Sequence, residues 1–69
     1  MDLEQARQRV EHIRAISGDD EAAHAREDEA RSEFLSALVS GQYECIEYAQ
    51  QVAEILQETE SIKFCRWCA

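Results

Sequence analysis

The segment YECIEYAQQVAEILQET, residues 43–59, carries the clearest amphipathic pattern in this 69-residue chain. Its apolar side chains recur every three or four positions, which places them on one face of an α-helix. That apolar face contains Cys45, Ile46, Ala49, Val52, Ala53 and Leu56. A helix with one apolar face buries it against other elements, so the segment predicts a domain built by packing helix on helix.

Two further segments with helical periodicity precede it. They span about residues 3–17 and 20–40, and Gly18 and Gly41 follow near their ends, where glycine commonly terminates helices. Their apolar positions are Leu3, Ala6, Val10, Ile13, Ala23, Ala30, Phe34 and Leu38, with Ile16, Leu35 and Val39 beside them. The sequence therefore predicts a single all-α domain, residues 1–69, in which a helical hairpin packs with a third helix.

The helical pattern stops after Ser61, and the remaining tail contains Ile62, Phe64 and Trp67. We expect this tail to fold back as an extended strap, with Trp67 filling the end of the core. A chain of this length buries only a small core. Three amphipathic helices and an aromatic tail exceed that core, so we expect a homodimer.

The charge of the chain restricts its partners. Fifteen acidic residues against seven Lys and Arg give a net charge of −8, which disfavours direct binding to nucleic acid or anionic membrane. Residues 32–62 contain six glutamates and no Lys or Arg. No apolar segment approaches the roughly 20 residues of a membrane span, and the start, MDLE, lacks signal-peptide features, so we expect a cytoplasmic protein.

The side of the third helix opposite its apolar face carries acidic side chains, and an aromatic and a β-branched residue border them. An apolar pair within a charged rim is typical of a protein-binding surface. The expected partner-binding residues are Glu44, Glu47, Tyr48, Gln51, Glu54, Ile55 and Glu58. The alternative is that a dimer or the tail covers the two apolar side chains.

Polar side chains also occupy the expected apolar face of the second helix, in line with Phe34 and Leu38. We interpret them as a polar seam between helices, because buried polar groups are costly unless they are paired. The seam comprises Asp20, His24, Glu27, Asp28 and Arg31. Asp19 or Asp20 can cap this helix.

A metal site is the alternative interpretation of this region. The spacing Glu21-x-x-His24-x-x-Glu27 places a carboxylate one turn before and one turn after a histidine, and Glu-x-x-His motifs build the di-iron sites of helical bundles. A dimer would have to supply the second set of ligands. The alternative is therefore a small metal-binding protein centred on His24.

No arrangement of residues favours catalysis. No serine or cysteine is placed for activation by His24, no glycine-rich phosphate loop occurs, and the chain is too short to enclose a substrate. We expect neither enzymatic activity nor a cofactor. Cys65-x-x-Cys68 has redox or zinc spacing without the required context, so we interpret both as tail residues and Cys45 as a core residue. An odd cysteine count without an export signal also argues against disulfides.

The string DDEAAH at residues 19–24, followed by Glu27-Asp28, and the ending RWCA at residues 66–69 resemble a group of short uncharacterised proteins of phages, prophages and proteobacteria. The resemblance covers most of the chain, although Cys65 is not usual in that group, and it implies no known reaction. It implies a kind of function, which is binding to a host protein. Small acidic phage-type proteins frequently act by docking on a host protein, as anti-CRISPR proteins and transcription anti-activators do.

The expected partner is thus a host protein with a basic surface, such as a nucleic-acid-binding site. A structural subunit of a larger complex remains a further alternative.

Overall fold

The computed structural model describes residues 1–66. It contains three α-helices, α1 (Leu3–Ala15), α2 (Asp20–Val39) and α3 (Ile46–Gln57), followed by a one-turn 3₁₀ helix (Glu58–Ser61). Within this part of the chain there is no strand. The predicted all-α, three-helix fold is therefore confirmed, while the homodimer stays a prediction.

Local side-chain chemistry determines where α1 and α2 begin. The Asp2 carboxylate accepts a hydrogen bond from the Gln5 backbone N–H at 2.7 Å, and the Gln5 side chain accepts from the Asp2 N–H at 3.0 Å. This reciprocal capping box satisfies two donors at the start of α1. Asp19 caps α2 by accepting from the Ala22 N–H at 3.1 Å. Of the two candidate caps for α2, the residue that performs this role is therefore Asp19.

Gly41 ends α2 in the left-handed conformation, with φ of 74°. Its N–H donates to the Leu38 carbonyl, and the Gln42 N–H donates back to the Ala37 carbonyl at 3.1 Å. This pair of bonds satisfies two of the free carbonyls at the helix end, and glycine adopts the required φ without a side-chain clash. The chain then turns back to begin α3.

The core lies where α1 packs against both α2 and α3, and α2 and α3 meet each other less extensively. Small side chains on α2 let α1 approach closely, and Ile62 of the tail completes the buried cluster. The residues of this core are Ala6, Val10, Ile13, Ala23, Ala30, Val52, Ile55, Leu56 and Ile62. Phe64 packs partly buried against it, so the tail contacts the core up to this point. The expected position of Trp67 lies outside the described residues.

Several residues expected in or beside the core are exposed. Cys45 occupies the N-cap position of α3 without a capping side-chain hydrogen bond and faces solvent. The exposed fractions of Ile46, Leu35, Leu38 and Val39 are 65, 59, 41 and 89%. These residues lie outside the buried faces of their helices, which are formed by Ala49, Val52, Ile55 and Leu56 on α3 and by Ala23, Glu27, Ala30 and Ala37 on α2.

No helix within residues 1–66 is both long enough and apolar enough to cross a membrane.

Candidate functional site

The polar side of α3 presents an exposed row of side chains, which we call the α3 acidic stripe. Its members are Glu44, Glu47, Gln51, Glu54 and Glu58. Among residues 1–66, no Lys, Arg or His side chain lies within 4.0 Å of any of the four carboxylates. These carboxylates are therefore hydrated and uncompensated, which suits the encounter with a cationic surface.

The two apolar residues predicted to border this stripe do not act as exposed contacts. Ile55 is only 6% exposed and belongs to the core. Tyr48 is half-buried, and its hydroxyl accepts a hydrogen bond from the Leu3 backbone N–H at 3.2 Å. Because positions 48 and 55 lie two turns apart on one side of α3, packing against α1 covers both. The prediction that they form a free apolar anchor was wrong.

Large apolar side chains are exposed elsewhere. Leu35, Leu38 and Val39 lie near the C-terminal end of α2, and Ile46 opens α3. The sequence pattern placed all four in or beside the core, so sequence reasoning missed them as candidates for binding. No local signal distinguished them, because neighbouring apolar positions satisfy the same helical periodicity.

The centre of the predicted polar seam is a buried ion pair. Glu27 is 2% exposed, and its two carboxylate oxygens accept from Nε and Nη2 of Arg66 at 2.9 and 3.0 Å. Arg66 Nη2 also donates to the backbone carbonyls of Thr59 and Ile62, at 2.6 and 3.2 Å. The guanidinium lies 4.0 Å from the centre of the Phe64 ring. Arg66 thereby fastens the tail to α2 through charge, hydrogen bonds and a cation–π contact.

The surroundings of Glu27 act on its pKa in opposite directions. Burial raises the pKa, because it disfavours the charged carboxylate, whereas the hydrogen bonds from Arg66 and the charge of Arg31 lower it. The net result is a pKa below the ordinary value for glutamate. Glu27 is therefore a carboxylate that the fold holds ionised, with a structural role.

The other seam residues are more open than predicted. Asp20 is exposed, and its carboxylate accepts from the Cys65 backbone N–H at 3.0 Å. His24 is half-buried with its Nε2 3.5 Å from Asp28, and Arg31 lies on the surface, 3.8 Å from both Glu27 and Glu60. The prediction of a buried seam thus holds at Glu27. The partners of this seam include the tail, which the sequence reasoning did not foresee.

Sequence reasoning missed Arg66 as the partner of Glu27 because the two residues lie 39 positions apart. One signal was available. A glutamate on an expected core face needs a cationic partner, and the tail offers Lys63 and Arg66.

The residues at the metal-like spacing do not form a ligand cluster within the described part of one chain. Within residues 1–66, no group of three or more His, Cys, Asp or Glu side chains is close enough to hold a metal ion. Arg66 occupies both oxygens of Glu27, one of the three residues at the metal-like spacing.

The cysteines differ from expectation in part. Cys45 is an exposed free thiol and not a core residue. Cys65 is disulfide-bonded, which the sequence interpretation of Cys65 as a plain tail residue did not predict. The expectation for Cys68 falls outside the described residues.

Comparisons with protein-family models, with curated proteins and with solved structures found no match to this chain.

Proposed function

We propose that the protein is a small acidic phage-type accessory protein that binds and blocks a host protein in the host cytoplasm. The blocked surface is basic, and a nucleic-acid-binding site is the kind of surface that fits. One observation carries this proposal. Residues 32–62 contain six glutamates and no Lys or Arg, and four of those glutamates are exposed without a cationic neighbour on the α3 acidic stripe.

The α3 acidic stripe should raise both the rate of association with a cationic partner and the affinity for it. Uncompensated carboxylates along one face of a helix attract a cationic surface during diffusion, and salt screens this attraction. A protein that occupies such a surface excludes nucleic acid, because both ligands need the same Lys and Arg side chains. Inhibition by occupation requires no catalytic group, and we propose no enzymatic activity.

A structural subunit of a larger complex is the second candidate. The observation that favours it is the exposure of three large apolar side chains within five residues of α2, Leu35, Leu38 and Val39, because exposed apolar patches commonly mark interfaces. The two candidates differ in outcome. An inhibitor lowers nucleic-acid binding by its partner, whereas a structural subunit assembles with its partner without that effect.

The test is affinity capture with a matched pair of charge reversals. The tagged protein is incubated with nuclease-treated proteobacterial lysate, and bound proteins are quantified by mass spectrometry. Glu47→Lys with Glu54→Lys reverses the stripe. Glu4→Lys with Glu11→Lys gives the same charge change at the same seven-residue spacing on α1. Circular dichroism checks that both variants remain helical.

We expect the parent and the α1 variant to capture the same nucleic-acid-binding protein, with at least about tenfold less captured by the stripe variant, a loss near 1.4 kcal/mol. The purified partner should then lose DNA or RNA binding in a mobility-shift assay when the parent protein is added. Equal capture by the two variants, or unchanged nucleic-acid binding by the partner, would contradict the proposal.

A further inference from the structure

The tail carries a disulfide at the point where it docks on α2. Cys65 is disulfide-bonded and half-buried, whereas Cys45 is an exposed free thiol. The chain contains three cysteines, so the sequence leaves Cys68 as the partner of Cys65 within one chain. A disulfide of the Cys-x-x-Cys type is the arrangement that redox proteins use for reversible thiol–disulfide exchange.

A disulfide between positions 65 and 68 encloses Arg66, the residue that fastens the tail. The carbonyl oxygens of Thr59, Ile62 and Phe64 lie 2.6, 3.2 and 3.4 Å from its guanidinium nitrogens, so the chain curls around this group. Glu27 accepts two further hydrogen bonds from the same guanidinium. Because a guanidinium holds its donors in a fixed planar arrangement, these acceptors together constrain the backbone at Arg66.

Cys65 itself contacts α2 through its backbone. Its N–H donates to the Asp20 carboxylate at 3.0 Å, and the next residue, Arg66, reaches Glu27. Both contacts depend on the direction of the backbone at positions 65 and 66, which a disulfide at Cys65 restricts. A short covalent ring reduces the conformations open to an undocked tail, so the oxidised tail loses less entropy when it docks.

We propose that Cys65 and Cys68 form a reversible disulfide whose reduction by a dithiol weakens the docking of the tail on α2. A thiolate of the dithiol bonds to one sulfur of the disulfide, and the other cysteine leaves as a thiolate. The second thiol of the dithiol then displaces the first cysteine and closes a cyclic disulfide. The protein gains two electrons and two protons as two thiols, and the reverse exchange reoxidises it. This inference is independent of the proposed function.

Reduction should loosen positions 65 and 66 without unfolding the helices. Ile62 and Phe64 pack against the core through apolar contacts that need no disulfide. The bonds to Asp20 and Glu27 would open more often in the reduced protein. The redox state of the tail would thereby control how often the buried carboxylate in the first half of α2 meets solvent.

Peptide mapping and hydrogen exchange test the inference on the full-length protein. Alkylation in denaturant without reductant, followed by digestion, should label Cys45 and yield Cys65 linked to Cys68. NMR-detected exchange then follows the Cys65 amide, which reports its bond to Asp20, and the Gln42 amide, which reports the other end of α2. After reduction with dithiothreitol we expect about tenfold faster exchange at Cys65 and no change at Gln42.

Matched variants separate the disulfide from other effects of the reductant. The amide at position 65 in Cys65→Ser should exchange at the rate of the reduced parent, whereas Cys45→Ser should behave as the parent does. Asp20→Ala and Glu21→Ala each remove an exposed carboxylate from the first turn of α2, and Asp20 is the one that accepts from the tail. Because docking and oxidation are linked, Asp20→Ala should make reduction severalfold more favourable in dithiothreitol redox buffers, and Glu21→Ala should leave it unchanged.

Four results would overturn the inference. A free Cys65, or one linked to a second chain, removes the pairing. A disulfide that dithiothreitol reduces only in urea is not an exchange site. Unchanged exchange at Cys65 after reduction shows that the disulfide does not control docking. Loss of the helical circular dichroism signal on reduction shows that the disulfide holds the whole fold together and does not act on the tail alone.

Discussion

The two halves of α2 differ in the kind of side chain that they bury. In the first half, up to Arg31, the charged side chain of Glu27 is 2% exposed beneath the tail. In the second half, Leu35 and Val39 are 59 and 89% exposed. Glu27 is covered because the tail returns over it, whereas no described segment covers Leu35 or Val39. Burial along one helix therefore depends on which segment packs against it, and residue polarity is a secondary influence.

The largest loss of stability is expected from deleting the tail, which covers Glu27 in the first half of α2. Deleting residues 62–69 removes Ile62, which is 6% exposed and worth about 1.5–3 kcal/mol when fully buried. It also removes Phe64, which packs partly buried against the core, and the two hydrogen bonds from Arg66 to Glu27. The truncated protein should be largely unfolded by circular dichroism at 25 °C. A truncated chain that melts as the parent does would show that the tail contributes nothing to the fold.

A smaller effect is expected from Arg66→Ala, compared with Arg9→Ala as control. Both arginines donate two hydrogen bonds to a glutamate, Arg66 to Glu27 at 2.9 and 3.0 Å and Arg9 to Glu33 at 3.2 and 3.1 Å. Arg66→Ala leaves the buried carboxylate of Glu27 with Arg31 at 3.8 Å as its remaining cationic neighbour and should cost about 3 kcal/mol, whereas the exposed pair should be worth at most about 1 kcal/mol. Urea denaturation measures the free energy of unfolding of both variants. Equal losses of stability would show that the burial of Glu27 does not strengthen its ion pair with Arg66.

The Glu27–Arg66 pair also predicts a pH dependence of stability. The folded pKa of Glu27 is lowered from the reference value of 4.5. Its stabilisation is therefore complete above about pH 4.5 and is lost as the pH falls through the lower folded pKa, because the unfolded chain binds the proton first.

Urea midpoints between about pH 6 and pH 3 measure this dependence in the parent and in Glu27→Gln. The difference in stability between the two proteins should shrink as the pH falls. A difference that stays constant over this range would show that Glu27 has the same pKa in the folded and unfolded states.

The smallest loss of stability is expected from substituting an exposed apolar residue. Ile46→Ala changes a side chain that is 65% exposed, and Ile13→Ala makes the same change where the side chain is 1% exposed. Ile13→Ala should cost about 2–5 kcal/mol through lost burial and a cavity, whereas Ile46→Ala should stay within about 0.5 kcal/mol. Thermal melts of both variants measure the contrast. A large loss in Ile46→Ala would mean that another surface covers this residue, such as a second copy of the chain.

The sequence predicted the three helices because each carries apolar residues at helical spacing, and α2 also has end signals in the Asp19 cap and Gly41. It also identified Glu27 as a polar residue on a core face. These features depend on neighbouring residues in the chain, which a sequence pattern records directly.

The sequence did not predict features that depend on distant packing. The partner of Glu27 lies 39 residues away, and the exposure of Leu35 and Ile46 follows from which side of each helix packs into the core. The rotation of α3, which buries Ile55, is set by its contact with α1. Periodicity alone cannot specify that rotation, because several neighbouring positions satisfy the same apolar face.

The separation between Glu27 and Arg66 also has a consequence for folding kinetics. Helices and their caps form from local contacts within microseconds, whereas a bond that closes a segment of 39 residues must first pay the entropy of closing that loop. Docking of the tail should therefore be a late event in folding. A substitution at Arg66 would accelerate unfolding and leave the folding rate almost unchanged, since the contact is absent from the transition state.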